Sequence, residues 1–338
     1  MIKALLTGIG GSIGCHVFSH LMANTDWHVV GIDSFRHKGW MDRVQVMLDA
    51  HPEWRPRLTL VTHDLTAPIS PVMADKIGQC KYILNLASLS DVFASIVDPV
   101  PFVQTNVASV LTVLEFARAH PPKVFLQVSS DEVYGPTDGK VFHKEWDPIV
   151  PSNPYSASKA AQEAIAISYW RTYAVPLVIV NLMNNFGEMQ SPSKFPAIVQ
   201  ERLQHGDKIT IHGTPDTVGS RHYIHSRNSA DAFLFLMTKT NPHLHVGGQL
   251  DKPDRYNIVG DAHLSNEALA LRIAKHMGKV ARIEYQAFDK ARPGHDRHYG
   301  LDGSKLAALG WRVPKPFDAS LQEVIKWQQE HPEWLRRS

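Results

Sequence analysis

The stretch Lys3-Ala-Leu-Leu-Thr-Gly8-Ile-Gly10-Gly11-Ser12-Ile13-Gly14 decides the fold of this chain. A short apolar run passes without a break into a G-x-x-G-x-x-G array, Gly8, Gly11 and Gly14, and a helix-forming segment follows. Glycines placed so allow a tight strand-to-helix turn and close approach of the backbone to a pyrophosphate, whose charge meets the helix N-terminus. Three glycines alone also fit a plain turn. The following strand supplies the second half of the signal, because it ends in Asp33, 19 residues beyond Gly14, near the ~20 expected for an acid on an adenosine ribose. The pattern predicts a dinucleotide site with Gly8, Gly11, Ser12, Ile13 and Gly14 around the phosphates and Asp33 on the ribose hydroxyls. A carboxylate there repels a 2′-phosphate and favours NAD, with Arg36 and Lys38 keeping NADP as the alternative. Asp64, followed by Leu65 after the third strand, reads either as a partner of the adenine amino group or as a helix N-cap.

Outward from this turn, KALLT, WHVVGI, LTLVT, KYILNLA and KVFLQVS are strands apolar on both faces, separated by helix-length segments as far as Asp131. Such strands imply a parallel sheet covered by helices on both sides, an α/β doubly wound (Rossmann) arrangement. After PLVIVNL the pattern loosens, and the stretches 184–221 and 247–299 are richer in Pro, Gly and His. The expected division is a dinucleotide domain over 1–183, rejoined by about 222–246 and part of the C-terminus, and a smaller substrate-binding lobe built mainly from 184–338. The returning helix, Ser226 to Thr238, faces the core with Ala230, Ala232, Phe233 and Leu236.

The chain has 338 residues, enough for roughly two domains, and 35 basic against 33 acidic side chains give a formal charge of +2. That balance, without a basic stripe, excludes a general nucleic-acid binder. Hydrophobic residues at 43% and charged residues at 20% describe an ordinary globular chain. Cys15 and Cys80 supply neither a disulfide framework nor a metal spacing, which predicts a reducing, cytoplasmic compartment. No apolar run approaches the ~18 residues of a membrane span, no secretory signal is read at the start, and His243-x-His245 reads as an exposed loop rather than a metal site.

KVFLQVS leads into Ser129-Ser130-Asp131-Glu132-Val133-Tyr134-Gly135, and Pro154-Tyr155-Ser156-Ala157-Ser158-Lys159 follows. Tyr155 and Lys159, four apart on a helix, share one face. A lysine ammonium beside a phenol favours the phenolate and lowers a pKa normally near 10, which makes a general base next to the cofactor. Adjacent strand residues point to opposite faces, so Asp131 and Glu132 serve one substrate only where the strand is ending.

These motifs resemble the extended short-chain dehydrogenase/reductases, and within them the nucleotide-sugar 4,6-dehydratases, the dTDP-glucose enzymes above all. The likeness covers nearly the whole chain. It rests on TGIGGSIG, SSDEVYG, NPYSASKAAQE, NNFG with Lys194 following, SRHYIH where the family has an Arg-Asp-Trp segment, and RPGHDRHYGLDGSKLAALGW. The resemblance implies that NAD takes the C4 hydride of a nucleotide-diphosphate hexose while Tyr155 removes the O4 proton. Glu132 then removes the C5 hydrogen, Asp131 protonates the leaving C6 hydroxyl, and the hydride returns to C6. It further implies that Ser130 polarises the C4 oxygen and that Ala87 borders the cofactor. Ser90 borders the sugar, Asn185, Lys194, Arg221 and Arg292 hold the diphosphate, and His295 and Asp296 line the pocket. Leu89 and Asp91 stand where relatives usually carry glutamate and histidine, which leaves the sugar open. A 4-epimerase on the same scaffold needs Tyr155 and Lys159 but not the carboxyl pair, and a non-catalytic NAD sensor needs neither.

The segment Pro101 to His120 is apolar around much of its circumference, and the helix from Ser156 is rich in alanine. Together they point to a homodimer through a four-helix interface, against intramolecular packing of both.

Overall fold

The computed structural model describes residues 1–36, 40–245, 247, 249–287 and 296–335. Its strands are β1 (Lys3–Thr7), β2 (His28–Asp33), β3 (Leu58–Thr62), β4 (Tyr82–Asn85), β5 (Val124–Ser130), β6 (Leu177–Leu182), β7 (Asn184–Phe186), β8 (Lys208–His212), β9 (Ser220–His225), β10 (Asp254–Ile258), β11 (Ala262–Ser265) and β12 (Arg282–Gln286). Helices α1 (Gly14–Asn24), α2 (Trp40–Ala50), α3 (Pro71–Ile77), α4 (Val92–Val97), α5 (Pro99–Ala119), α6 (Pro154–Tyr173), α7 (Phe195–His205), α8 (Ser226–Lys239) and α9 (Asn266–Met277) lie between them.

Seven strands form one parallel sheet in the order β10-β6-β5-β4-β1-β2-β3. Period-2 alternation sends neighbouring side chains to opposite layers. Leu84, Leu126, Val178 and Val180 pack under Phe18 and Leu21 of α1 and Phe233 and Leu236 of α8. Ile83, Phe125 and Ile179 pack under Val110, Val113 and Leu114 of α5 and Trp170 of α6. Each such side chain stabilises the fold by about 1.5–3 kcal/mol relative to exposure, which accounts for strands that read as unbroken apolar runs. The doubly wound expectation holds, and strand order reverses between β1 and β4. At that reversal the connections leave in opposite directions and open a crevice beyond the strands' carboxyl ends.

One strand corrects the sequence reading. β10 lies inside the stretch assigned to the lobe, yet it pairs with β6 at the edge of the main sheet. Its sequence, Asp-Arg-Tyr-Asn-Ile, conceals this because it brings Arg255 fully into the interior. The charge is compensated by Glu163 of α6 at 2.6 Å, with both side chains buried. The remaining sheets, β11-β9-β7 and β12-β8, share a separate core with Phe186, Tyr223, Phe317 and Leu321. Helix α8 turns Ala230, Ala232, Phe233 and Leu236 inward, as its spacing predicts.

Helix α5 departs from the expectation about apolar length. Among the described residues it is long and apolar enough by composition to cross a membrane, and 44% of its apolar window is buried inside the protein. It packs against α6, with Asn106 and Ser109 among its buried residues.

Candidate active site

The glycine turn is shaped for a phosphate. Gly8 has φ 73° and packs against the main chain of Ala87, while a Cβ on Gly14 would lie 1.9 Å from the Gly8 carbonyl oxygen. Ile13, at the N-cap of α1, gives no side-chain cap, and the first helical turn carries no acid. Its orphan amides and the helix dipole therefore suit an anion. The buried Asp33 carboxylate accepts from Gly10 N at 2.9 Å and from Phe35 N at 3.0 Å, so it is fixed at the crevice edge. Thr7 Oγ1 donates to Asn85 Oδ1 at 2.7 Å and accepts from Leu86 N and Ala87 N, tying the ends of β1 and β4 together. These features fit a dinucleotide.

Asp64 is not a helix N-cap. Helix α3 is capped by Ser70, and Asp64 instead accepts from Thr66 N and pairs with Arg36 at 3.0 Å. That pairing occupies the cation that argued for NADP, and Lys38 lies outside the described residues. The Leu65 side chain belongs to the apolar core, so any part it has in cofactor binding falls to its main chain.

At the catalytic end β5 stops at Ser130 and the chain enters a 3-10 turn, Asp131–Tyr134, capped by Ser130 through Glu132 N. The change of winding frees Asp131 and Glu132 from strand alternation, so both serve one pocket. Ser130 Oγ donates to Asp131 Oδ1 at 3.0 Å, and Asp131 Oδ2 is buried with no partner. Glu132 Oε2 accepts from Asn153 Nδ2 at 3.1 Å and from the Tyr299 hydroxyl at 3.3 Å. Burial, then the charge of Glu132, pushes the Asp131 carboxyl up to about 7. Burial also raises Glu132, opposed by the Asn153 hydrogen bond and the charges of Arg221 and Lys194.

The Tyr155 and Lys159 pair needs a correction. They share the face of α6, but burial, then the charge of Glu132, pushes the phenol well above its ordinary value, opposed by its hydrogen bond with Ser130. The Lys159 ammonium donates to Val128 O at 2.7 Å and to Gln162 Oε1 at 2.8 Å, which commits two of its three N–H donors. Burial brings its own pKa down to about 8, opposed by Glu163. In the protein by itself, two nearby carboxyls and desolvation outweigh the lysine.

On the far side, the Lys194 ammonium reaches the carbonyl of Ser90 at 3.4 Å. Arg221 lies 4.4 Å over the Tyr299 ring and donates to Asp296 O at 2.6 Å and to Arg297 O. Asn185 is more committed than the resemblance implies. Its Oδ1 accepts from Ser229 Oγ at 2.7 Å and its Nδ2 donates to Met183 O at 3.0 Å, joining β7 to α8. Asp91 caps α4 through Ala94 N, and Leu89 exchanges both main-chain hydrogen bonds with the Asn106 side chain. Arg292 and His295 lie outside the described residues. His243 and His245 both bind the Asp251 carboxylate, at 2.7 and 2.6 Å. No group of three potential metal ligands occurs among the described residues.

Three residues of the site escaped sequence reasoning. Asn153 was legible in principle, because Asn-Pro-Tyr-Ser is a capping box at the start of α6. Gln162 follows Lys159 by three residues and had only helix spacing to mark it. Tyr299 left no local signal, being 167 residues from Glu132.

A tyrosine and a lysine one turn apart, on a helix running past a glycine turn at the switch point of a parallel sheet, define an extended short-chain dehydrogenase/reductase. That is the class of this protein. The family model for GDP-mannose 4,6 dehydratase matches residues 5–324, and the chain belongs to that family. Low-salt glycan biosynthesis protein Agl12 of Haloferax volcanii is 32% identical over 328 residues, spanning 96% of this chain and 98% of that protein. dTDP-glucose 4,6-dehydratase 1 of Escherichia coli is 28% identical over 357 residues, spanning 99% and 94%. The dTDP-glucose 4,6-dehydratase of Streptomyces venezuelae, solved with NAD and TYD bound, has a TM-score of 0.85 at 28% identity and 98% coverage of both chains. A Thermus thermophilus UDP-glucose 4-epimerase solved with NAD shares the fold, with a TM-score of 0.81 at 22% identity, covering 97% of this chain and 99% of that one.

Proposed function

We propose that this chain dehydrates a nucleotide-diphosphate hexose to the 4-keto-6-deoxy sugar, a hydro-lyase reaction with NAD as a recycled cofactor. The observation that carries this reading is the carboxyl pair on the 3-10 turn, with Ser130 hydrogen-bonded to Asp131 at 3.0 Å and Asn153 to Glu132 at 3.1 Å. A 4-epimerase has no use for a buried carboxyl beside a part-buried one, both with raised pKa values, at this point. Gly8, Gly11, Ser12, Ile13 and Gly14 would hold the pyrophosphate, Asp33 the ribose, and Ala87 and Lys159 the nicotinamide half. When bound, NAD supplies the reversible hydride acceptor. Tyr155 removes the O4 proton and Ser130 holds the C4 oxygen. Glu132, oriented by Asn153 and Tyr299, takes the C5 proton and returns it. Asp131, neutral by virtue of its burial, protonates the departing O6. Arg221 and Lys194 supply charge for the diphosphate.

The nucleobase and hexose stay general, since relatives include both a glycan biosynthesis protein and dTDP-glucose enzymes. A homodimer belongs to the same reading, because Val103 and Leu111 of α5 and Phe93 and Val97 of α4 are exposed apolar side chains. The two buried free thiols support a reducing, cytoplasmic location. The test is incubation with dTDP-, UDP-, GDP- and CDP-hexoses deuterated at C4. Deuterium recovered at C6 with loss of water is the expected result. Inversion at C4 without water loss sinks the reading in favour of epimerisation, and no turnover on any sugar removes the enzyme reading.

A further inference from the structure

Hydride transfer sets a demand that neither binding region meets alone. The reacting atoms must come within about 3–3.5 Å of one another. Each ligand is anchored elsewhere, NAD by its pyrophosphate on the glycine turn and the nucleotide sugar by its diphosphate near Asn185 and Lys194. The two anchors belong to distant parts of the chain, so a group that touches both is needed to fix their separation.

Arg43 of α2 is such a group. Its Nε donates to Met189 O at 2.9 Å and its Nη1 donates to Gly10 O at 2.9 Å. Gly10 lies in the glycine turn between Gly8 and Gly11, and its amide is held by Asp33 at 2.9 Å. Met189 lies between Asn185 and Lys194. Arg43 is buried, and its guanidinium carbon stands 5.7 Å from the ring of Trp334, in the 3-10 turn Pro332–Leu335. Burying a charge is costly. The planar fork of a guanidinium, with its donors at fixed angles, suits a bridge between two carbonyls.

The far end of the bridge is a strained point. Met189 is buried with φ 57°, a left-handed conformation that a residue other than glycine keeps only where its surroundings over-determine it. Its neighbours are pinned as well. His225 Nδ1 accepts from Arg227 N, so its Nε2 carries the hydrogen and donates to Glu188 Oε2 at 3.1 Å. His16 Nε2 meets the Glu188 carbonyl at 3.1 Å, and Gln190 Nε2 donates to Asn185 O at 2.8 Å. His16 belongs to α1 and His225 to β9, so the segment 187–190 is tied to the cofactor helix and to the second lobe at once.

We propose that Arg43 is a positioning residue for both ligands, holding the glycine turn and the diphosphate-side segment at one separation. It acts through the main-chain carbonyls of Gly10 and Met189, and its loss frees both ends together. A single substitution in α2 therefore weakens two ligands.

The diphosphate half of this inference rests on the nucleotide-sugar reading, and titration calorimetry separates the two. The probes are NAD and then, with NAD saturating, dTDP, UDP, GDP and CDP in turn. In Arg43→Ala the Kd for NAD and that for the diphosphate bound by the wild type should each rise about tenfold or more. The number of sites per chain stays unchanged, and added methylguanidinium restores part of both affinities. Arg43→Lys, which keeps the charge without the fork, weakens both ligands too and carries the comparison should the alanine variant fail to fold. Fewer sites at wild-type affinity shows that Arg43 serves the fold alone, and a change in one ligand only shows that it does not join the two. Either result overturns the proposal, as do wild-type affinities for both ligands. If the wild type binds none of the four diphosphates, the nucleotide-sugar reading falls instead, while the NAD titration still reports on the glycine-turn end.

Discussion

Asn153 holds Glu132 with one end of its amide and starts α6 with the other: Nδ2 donates to Glu132 Oε2 at 3.1 Å while Oδ1 accepts from Ser156 N at 2.9 Å. The cap that begins the Tyr155 helix thus also orients the carboxylate opposite it. Asn153→Asp keeps the acceptor for the cap but places a second carboxylate against Glu132. Loss of the amide donor beside Glu132 should cost about 1–3 kcal/mol of stability although the cap itself is kept, and kcat for water loss falls about tenfold or more with KM little altered. Steady-state kinetics beside calorimetry checks this, and an unchanged kcat removes Asn153 from the site.

Asp131 makes stability and activity depend on pH in a stated direction. Its folded pKa, up to about 7 through burial and the charge of Glu132, exceeds the unfolded value near 3.8. The native state therefore binds the proton more tightly, and this contribution to stability is lost as pH rises from about 4 to about 7. Asp131→Asn should raise stability by on the order of 2 kcal/mol at pH 8 and scarcely at pH 4. In the wild type, kcat should fall on the alkaline side with an apparent pKa near 7 belonging to the Asp131–Glu132 pair. A profile flat to pH 9 contradicts a neutral Asp131 as the acid.

Gly14 has no room for a side chain, since a Cβ would meet the Gly8 carbonyl at 1.9 Å. Gly14→Ala must push the turn open, at a cost of about 1–3 kcal/mol. The expected outcome is loss of NAD binding by titration calorimetry together with a lower Tm. Wild-type affinity in this variant would show that the glycine turn does not carry the pyrophosphate.

The buried Arg255–Glu163 pair also touches the site, because Glu163 accepts from Asn181 Nδ2, which in turn donates to Ser130 O. Glu163→Gln leaves a buried guanidinium uncompensated and should cost about 3–5 kcal/mol. It also removes a charge that supports the Lys159 ammonium, so the phase of the pH–rate profile that depends on Lys159 moves to lower pH. Replacing both residues with leucine should recover most of the stability. Chemical denaturation of the wild type and the two variants decides it, and a Glu163→Gln protein as stable as wild type refutes the account.

Local chemistry made the dinucleotide half readable. A strand, three glycines and an acid 19 residues on are all features of short-range geometry, as is the Tyr155 to Lys159 spacing. The strands buried on both faces announced the parallel sheet because apolar runs are what a double covering demands. What the sequence by itself determined, then, was the class of fold, the cofactor end and the residue types of the chemistry.

The tertiary structure decided what those residues experience. Arg255 hid β10, since a charge inside a strand reads as lobe or loop until Glu163 is placed against it. Tyr155 looked like a lysine-activated phenol, yet burial and two carboxyls reached through the 3-10 turn set its proton affinity, while Lys159 is held by Val128 and Gln162. Tyr299 joins Glu132 across 167 positions of chain. Desolvation and Coulomb energies depend on distances in space, and those distances exist only once the sheet has closed and the second lobe has brought Arg221 and Tyr299 to the crevice.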